Sequence, residues 1–325
     1  MAMTQIVFLV MLSGPAFAFS VLFPQDESFV TTSSVYLVFN KDGNDIDAYQ
    51  VNVNKFGYPK IAVAKDRKYF YFKIFLASGM NKITVKAYRG RKKVAIDELD
   101  VFFRDQLGKN FNHEPLGFTR YLFHMPENEK LCADCHRMDV IPDDINPDSP
   151  KDSPKDSPCY ICHKEKLDSK YVHKPASKWK CLTCHLTKED SRKFSVVKPT
   201  IDVCSTCHDK IVKDWSERKF IHGPTAVGQC ELCHDPHGAV WPSLLRMHGT
   251  DLCLRCHVDK KNGKHVLAGF YGKGHPTRGV PDPKDPSKEF TCAGCHNPHG
   301  AETEDLLNHP RIRGGMGYCR NCHQK

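Results

Sequence analysis

Sixteen cysteines fall into eight Cys-x-x-Cys-His groups with none left over. The paired thiols are Cys132 and Cys135, Cys159 and Cys162, Cys181 and Cys184, Cys204 and Cys207, Cys230 and Cys233, Cys253 and Cys256, Cys292 and Cys295, and Cys319 and Cys322. Directly after them stand His136, His163, His185, His208, His234, His257, His296 and His323. Positions i, i+3 and i+4 of one helical turn share a face. Two thiols so placed can add to the two vinyl groups of a porphyrin while the imidazole reaches its iron. The spacing therefore predicts eight covalently attached c-type haems, with these eight histidines as proximal ligands.

Other uses of paired cysteines fit less well. A zinc ribbon needs two such pairs per metal and no histidine after each one. A disulfide framework tolerates any neighbour after the second cysteine, and thioredoxin-like sites come singly rather than in series. Eight groups also constrain the fold, because one haem per about two dozen residues leaves too little polypeptide for a separate apolar core around each. The porphyrins must serve as the core, and neighbouring macrocycles are expected in or near contact.

The first eighteen residues suit the compartment this chemistry requires. Ile6 to Leu12 are apolar, and Ser13, Gly14 and Pro15 lead to the tripeptide Ala16-Phe17-Ala18, although no Lys or Arg precedes the run. This reads as a secretory signal, residues 1–18, cut after Ala18. No cysteine follows for lipid attachment, and no later stretch approaches the apolar length of a membrane span.

Residues 19–110 contain no cysteine or histidine. Val35 to Phe39, Tyr49 to Val53, Ile61 to Ala64, Tyr69 to Phe75, Ile83 to Tyr88 and Val94 to Phe103 alternate apolar and polar residues as half-buried strands do. Turn signals at Asp42-Gly43-Asn44, Gly57, Ser78-Gly79 and Arg89-Gly90 separate them. This is the pattern of a two-sheet all-β sandwich. The stretch from Leu76 to Val85 resembles the Leu-x-x-Gly-x-Asn-x-Ile-x-Val turn of bacterial immunoglobulin-like domains, which implies an immunoglobulin-like sandwich without an active site of its own. The basic turn of Arg89, Arg91, Lys92 and Lys93 reads as a solvated hairpin loop, the alternative being an anionic docking patch.

Residues 111–325 contain an internal repeat. His124 precedes Cys132 by eight residues, as His173 precedes Cys181 and His222 precedes Cys230, and the starts lie forty-nine residues apart. Each of these histidines opens a His-x-Pro, and a fourth copy opens at His275-Pro276 with an insertion around Pro281 to Lys288. The layout is four doubled units, about 124–172, 173–221, 222–274 and 275–325. Within the first, Ser149 to Pro158 is a low-complexity Ser-Pro-Lys-Asp spacer of extended, polyproline-like character. Cys230-Glu-Leu-Cys233-His234-Asp-Pro-His237-Gly and Cys292-Ala-Gly-Cys295-His296-Asn-Pro-His299-Gly most closely resemble the doubled units of multihaem cytochromes c. The resemblance covers about two hundred residues and implies a cytochrome domain of short helices and mostly loops packed around haems.

Ten histidines lie outside the attachment groups, against eight distal positions. His124, His173, His222 and His275 recur once per unit and are the strongest distal ligands. His237 and His299 follow a proximal histidine by only three residues, too short a tether to pass around a porphyrin edge, so they must serve a neighbouring haem. The first two units lack this histidine, with Asp139 and Lys188 in its place. Two further ligands must come from His113, His248, His265 and His309. Met125, Met138, Met247 and Met316 recur at no fixed offset, which argues against methionine ligation.

The formal charge of +9 is almost cancelled if each oxidised haem brings about −1. That removes the case for nucleic acid or anionic lipid, and nothing here has the aromatic interleaving of a nucleic-acid surface. Bis-histidine ligation and solvent access predict low potentials. The function expected is electron transfer through eight haems between extracytoplasmic partners in the periplasm or at the cell surface. Those partners would be other cytochromes, a quinol-linked donor or an outer-membrane conduit, and a homo-oligomer or filament also fits. The alternative is an octahaem oxidoreductase acting on a small nitrogen or sulfur compound, which requires one open iron position. No attachment histidine is replaced and distal candidates exceed positions, so the carrier, not an enzyme, is favoured.

Overall fold

The structure is a computed structural model that describes residues 19–41, 46–64, 68–105, 107, 113–133, 136–140, 157–187, 193–262, 275–309 and 319–323. The leader, Cys135, His265, Met316, the Asp42-Gly43-Asn44 turn and all of the Ser-Pro spacer but Ser157 and Pro158 lie outside these residues. The chain divides into two compact units, Met1–Phe123 and His124–Lys325.

In the first unit the period-two pattern becomes ten strands: β1 Phe19–Phe23, β2 Ser28–Val30, β3 Ser34–Lys41, β4 Ala48–Val53, β5 Phe56–Gly57, β6 Ile61–Ala62, β7 Tyr69–Phe75, β8 Gly79–Arg89, β9 Lys92–Phe103 and β10 Thr119–Arg120. One sheet runs β1-β3-β7, and the other runs β10-β2-β9-β8-β4-β5 with β6 also on β4. Pairing is antiparallel except along β2, which lies parallel to both β9 and β10. Val35, Leu37, Phe39 and Ile74 of the first sheet meet Tyr49, Val51, Ile83, Val85 and Val101 of the second in one buried cluster. The rings of Phe39 and Tyr49 cross edge to face at 4.5 Å.

The Gly-x-Asn turn has a clear physical role. Gly79 takes φ +90°, a backbone region that side chains disfavour, and β8 starts there. Asn81 is fully buried, donates to the Ala77 and Gly79 carbonyls (2.8 and 2.9 Å), and accepts from Ala77 N–H (2.8 Å) and the Asn54 amide (3.0 Å). A polar side chain thus satisfies a turn that would otherwise be buried with unpaired backbone groups. The basic residues Arg89, Arg91, Lys92 and Lys93 sit at the exposed β8–β9 hairpin. Two strands, β1 and β2, escape the alternation pattern because FSVLF is nearly all apolar and SFV is too short to show a period. The sheet also continues beyond residue 110, since Thr119 and Arg120 pair with Ser28 and Phe29.

The second unit is built differently. Its longest described helix is Ile201–Ser216, and its other described helices span eight residues or fewer. Buried apolar side chains among the described residues are only Trp179, Trp215, Ala239, Phe290 and Ala301. The insertion of the fourth copy folds as a hairpin, with Pro281–Asp282 antiparallel to Asp285–Glu289.

Candidate haem-ligand pairs

Each attachment group closes one turn. The backbone N–H of the histidine donates to the carbonyl of the first cysteine at His136, His163, His185, His234, His257, His296 and His323, over 2.8–3.1 Å. Cys204 to His208 lie within the helix Ile201–Ser216. The His-x-Pro histidines sit just before helices of their own. His173 and His222 have extended backbone, and proline in the next turn starts Lys174–Ser177 and Gly223–Ala226.

These elements bring imidazoles together in pairs. His124 and His163, His173 and His208, His185 and His237, His222 and His257, His234 and His299, and His275 and His323 each have ring centroids 6.1 Å apart. Every pair joins one attachment histidine to one from outside the groups. Two imidazoles bound to one metal ion from opposite sides, each through a bond of about 2 Å, would have their centroids about 6 Å apart, which is the spacing these pairs show. The donor set therefore fits a six-coordinate iron whose other four positions a porphyrin fills.

The pairs obey a simple rule. The second group of a unit faces the His-x-Pro histidine of the same unit, as in His163 with His124. The first group faces a histidine of the following unit, as His185 faces His237 and His234 faces His299. Backbone hydrogen bonds hold this stagger. Val172 pairs with Gly238 and Ile221 with Gly300 in two-residue antiparallel ladders. His173 N–H donates to the His237 carbonyl (3.0 Å), and His222 N–H to the His299 carbonyl (3.1 Å). Glycine is required there, because a Cβ on Gly238 would sit 2.9 Å from the Tyr171 carbonyl oxygen and one on Gly300 2.9 Å from that of Trp215.

The nitrogens remote from the facing sides are anchored. Nδ1 of His173 lies 3.0 Å from the Pro236 carbonyl, and those of His185, His234 and His296 lie 2.8, 2.8 and 2.6 Å from the carbonyls of Phe194, Ser243 and Asp305. A carbonyl only accepts, so Nδ1 carries the proton and Nε2 keeps its lone pair. His124 Nδ1 meets Glu129 Oε1 at 2.9 Å, and Lys193 Nζ bridges Glu129 (2.9 Å) to Asp139 (2.8 Å). Asp235 receives the His237 N–H (3.0 Å) and lies 3.1 Å from its Nδ1; burial alone would raise the carboxyl pKa, but these bonds hold it at about 2. Burial also pulls His163 down to about 4 and lowers His185, His222 and His299, which favours the neutral imidazole that binds metal.

The attachment groups follow one another in space as in sequence. Burial raises the thiols of Cys162, Cys184, Cys233 and Cys295, and the next cause in each case is a thiol of the unit's other group: Cys132, Cys207, Cys256 and Cys322. Across unit junctions, the thiols of Cys204 and Cys230, and those of Cys253 and Cys292, are close enough to shift one another's pKa values. Cys159 and Cys181 line one small cavity, where Tyr160 and Trp179 cross at 5.0 Å.

The remaining candidates lie elsewhere. His248 is buried against Trp241 (5.3 Å), with Nε2 3.1 Å from Glu289 Oε2 at an angle too oblique for a hydrogen bond. His309 Nε2 contacts Lys284 Nζ. His113 belongs to the amino-terminal unit, beside Glu114, whose carboxylate pairs with Arg104 at 3.3 Å. His136 and His296 are outside the six pairs. Sequence reading missed the anchors Glu129, Asp235 and the proline carbonyls; the repeated Asp/Asn-Pro-His-Gly was their visible trace.

Comparison with known proteins agrees with this geometry. A family model described as the doubled CXXCH motif matches residues 173–213, 222–262 and 285–325. Two of these matches open on His173 and His222 themselves. The matched segments hold six of the Cys-x-x-Cys-His groups, which accounts for up to six c-type haems and makes the chain similar to multihaem c-type cytochromes. It is 28% identical over 192 residues to the multiheme cytochrome MtrA of Shewanella baltica (strain OS185), covering 51% of this chain and 51% of the relative. The chain thus spans about half the length of this curated relative. Among solved structures, fibronectin(III)-like modules of Clostridium thermocellum CbhA align at 12% identity and a TM-score of 0.22, over 27% of this chain and 96% of theirs. A Cellulomonas fimi endo-beta-1,4-mannanase aligns at 16% identity and a TM-score of 0.19, over 26% of this chain and 17% of its own.

Proposed function

We propose that the chain carries eight c-type haems, most of them with histidine on both faces, and passes electrons along them between extracytoplasmic redox partners. The observation that carries this reading is the common 6.1 Å spacing of six imidazole pairs. When bound, each haem supplies a one-electron Fe(III)/Fe(II) couple. The protein's part is to hold the axial imidazoles in place, with Nδ1 anchored at His124, His173, His185, His234, His237 and His275. At the six paired sites both axial positions would be taken, so a substrate would have no iron to bind there, which supports a carrier rather than an enzyme. The staggered ladders support close succession of the cofactors, so charge moves without large protein motion.

Thiol-to-vinyl attachment in series and the apolar leader support export to the periplasm or cell surface. Among the described residues no helix is long and apolar enough to cross a membrane. Other cytochromes, a quinol-linked donor or an outer-membrane conduit are the partners that fit, with the β-sandwich as docking or spacing module.

The test has two arms. The mass of the mature protein should exceed that of its chain by eight haems, and a smaller increment refutes the count. His237→Ala should open the iron held at Cys181 and Cys184 and give one high-spin haem. Adding Cys181→Ala and Cys184→Ala should remove that signal; its persistence refutes the crossed pairing.

A further inference from the structure

The six facing pairs share a separation but not an angle. His185 with His237 and His234 with His299 are nearly parallel, at 15° and 16°. His173 with His208 and His222 with His257 stand at 21° and 23°, and His124 with His163 at 36°. His275 with His323 stands at 71°.

Among the His-x-Pro type histidines, the angle tracks what holds Nδ1. His173 leans on a proline carbonyl of the following unit, Pro236, and its ring stays near parallel to that of His208. His124 leans on the Glu129 carboxylate instead, and its angle widens. His275 leans on the carbonyl of its own neighbour Pro276 (3.1 Å), while its ring packs against the buried Phe290 at 5.2 Å and 54°. A local anchor and an aromatic wall replace the remote anchor, and the ring is turned.

We propose that the iron held at Cys319, Cys322 and His323 is a low-spin centre with near-perpendicular axial imidazoles, electronically distinct from the other five paired centres, whose rings stand at 15–36°. The inference rests on the haem reading above. Each imidazole plane acts through π-overlap on one of two iron d orbitals that are otherwise close in energy. Parallel rings act on the same orbital and split the two. Perpendicular rings act on one each, leave them nearly equal, and make the ferric magnetic response highly anisotropic.

Electron paramagnetic resonance of the fully oxidised, full-length holoprotein tests this. The expected spectrum has a large-g low-spin signal beside the rhombic signals of near-parallel pairs. In Cys319→Ala/Cys322→Ala that signal should fall by one haem, with the rhombic signals kept. Absence of any large-g signal from the unaltered protein overturns the proposal without recourse to a variant, and so does a signal undiminished in the double variant. Haem content of the same sample separates the two readings. A full complement without the signal defeats only the angle, whereas missing haem defeats the haem reading itself.

Discussion

Residues 19–123 and 124–325 solve the problem of a core in opposite ways. The sandwich buries its own side chains: Leu37, Tyr49, Val51, Ile74, Ile83, Val85 and Val101 are all at 0% exposure. The repeat unit, although longer, has five buried apolar residues among those described, and its best-defined contacts are between imidazoles set apart for a metal. One half is held by apolar burial, and on the proposed reading the other is held by bonds to haem. Each should therefore fail under a different insult.

The largest contrast is expected from withholding haem. With every attachment cysteine changed to serine, residues 124–325 should lose their fold while the sandwich keeps a cooperative thermal transition; far-UV circular dichroism with limited proteolysis would show it. A repeat unit that stays protected would sink the contrast. The converse insult is Leu37→Ala, which should destabilise the sandwich by about 2–5 kcal/mol. Soret absorption and haem count should not change.

Smaller effects probe single junctions. Gly300→Ala places a Cβ 2.9 Å from the Trp215 carbonyl oxygen and 3.1 Å from that of Phe220. Overpacking of this kind costs about 1–3 kcal/mol. Because that ladder carries His299, high-spin absorption should rise at the iron facing His234 and leave the sandwich melt unmoved. Asn81→Ala removes the bonds at the β7–β8 turn and should cost about 1–3 kcal/mol, read as a lower denaturant midpoint of the sandwich alone. If either substitution moved both halves equally, the two units would not be energetically separate.

Much of this was legible in the chain. Cysteine chemistry has a fixed local reach, so Cys-x-x-Cys-His announces a haem wherever one turn can form, and alternation such as Val35, Leu37, Phe39 announces a half-buried strand. The three-residue tether of His237 and His299 already required a neighbouring haem, since no short loop rounds a porphyrin. Which neighbour was another matter. His237 faces His185, and His299 faces His234, because ladders at Val172–Gly238 and Ile221–Gly300 slide each unit against the next, a registration set by backbone bonds between residues more than sixty apart.

The chain order by itself determined the class of cofactor, the eight groups able to attach it and the all-β character of residues 19–110, because each depends on contacts within a few residues. Only the tertiary structure decided which imidazoles stand 6.1 Å apart, their ring angles and the anchors Glu129 and Pro236. Those depend on where a carbonyl or carboxylate from another segment arrives in space, and local spacing carries no record of that.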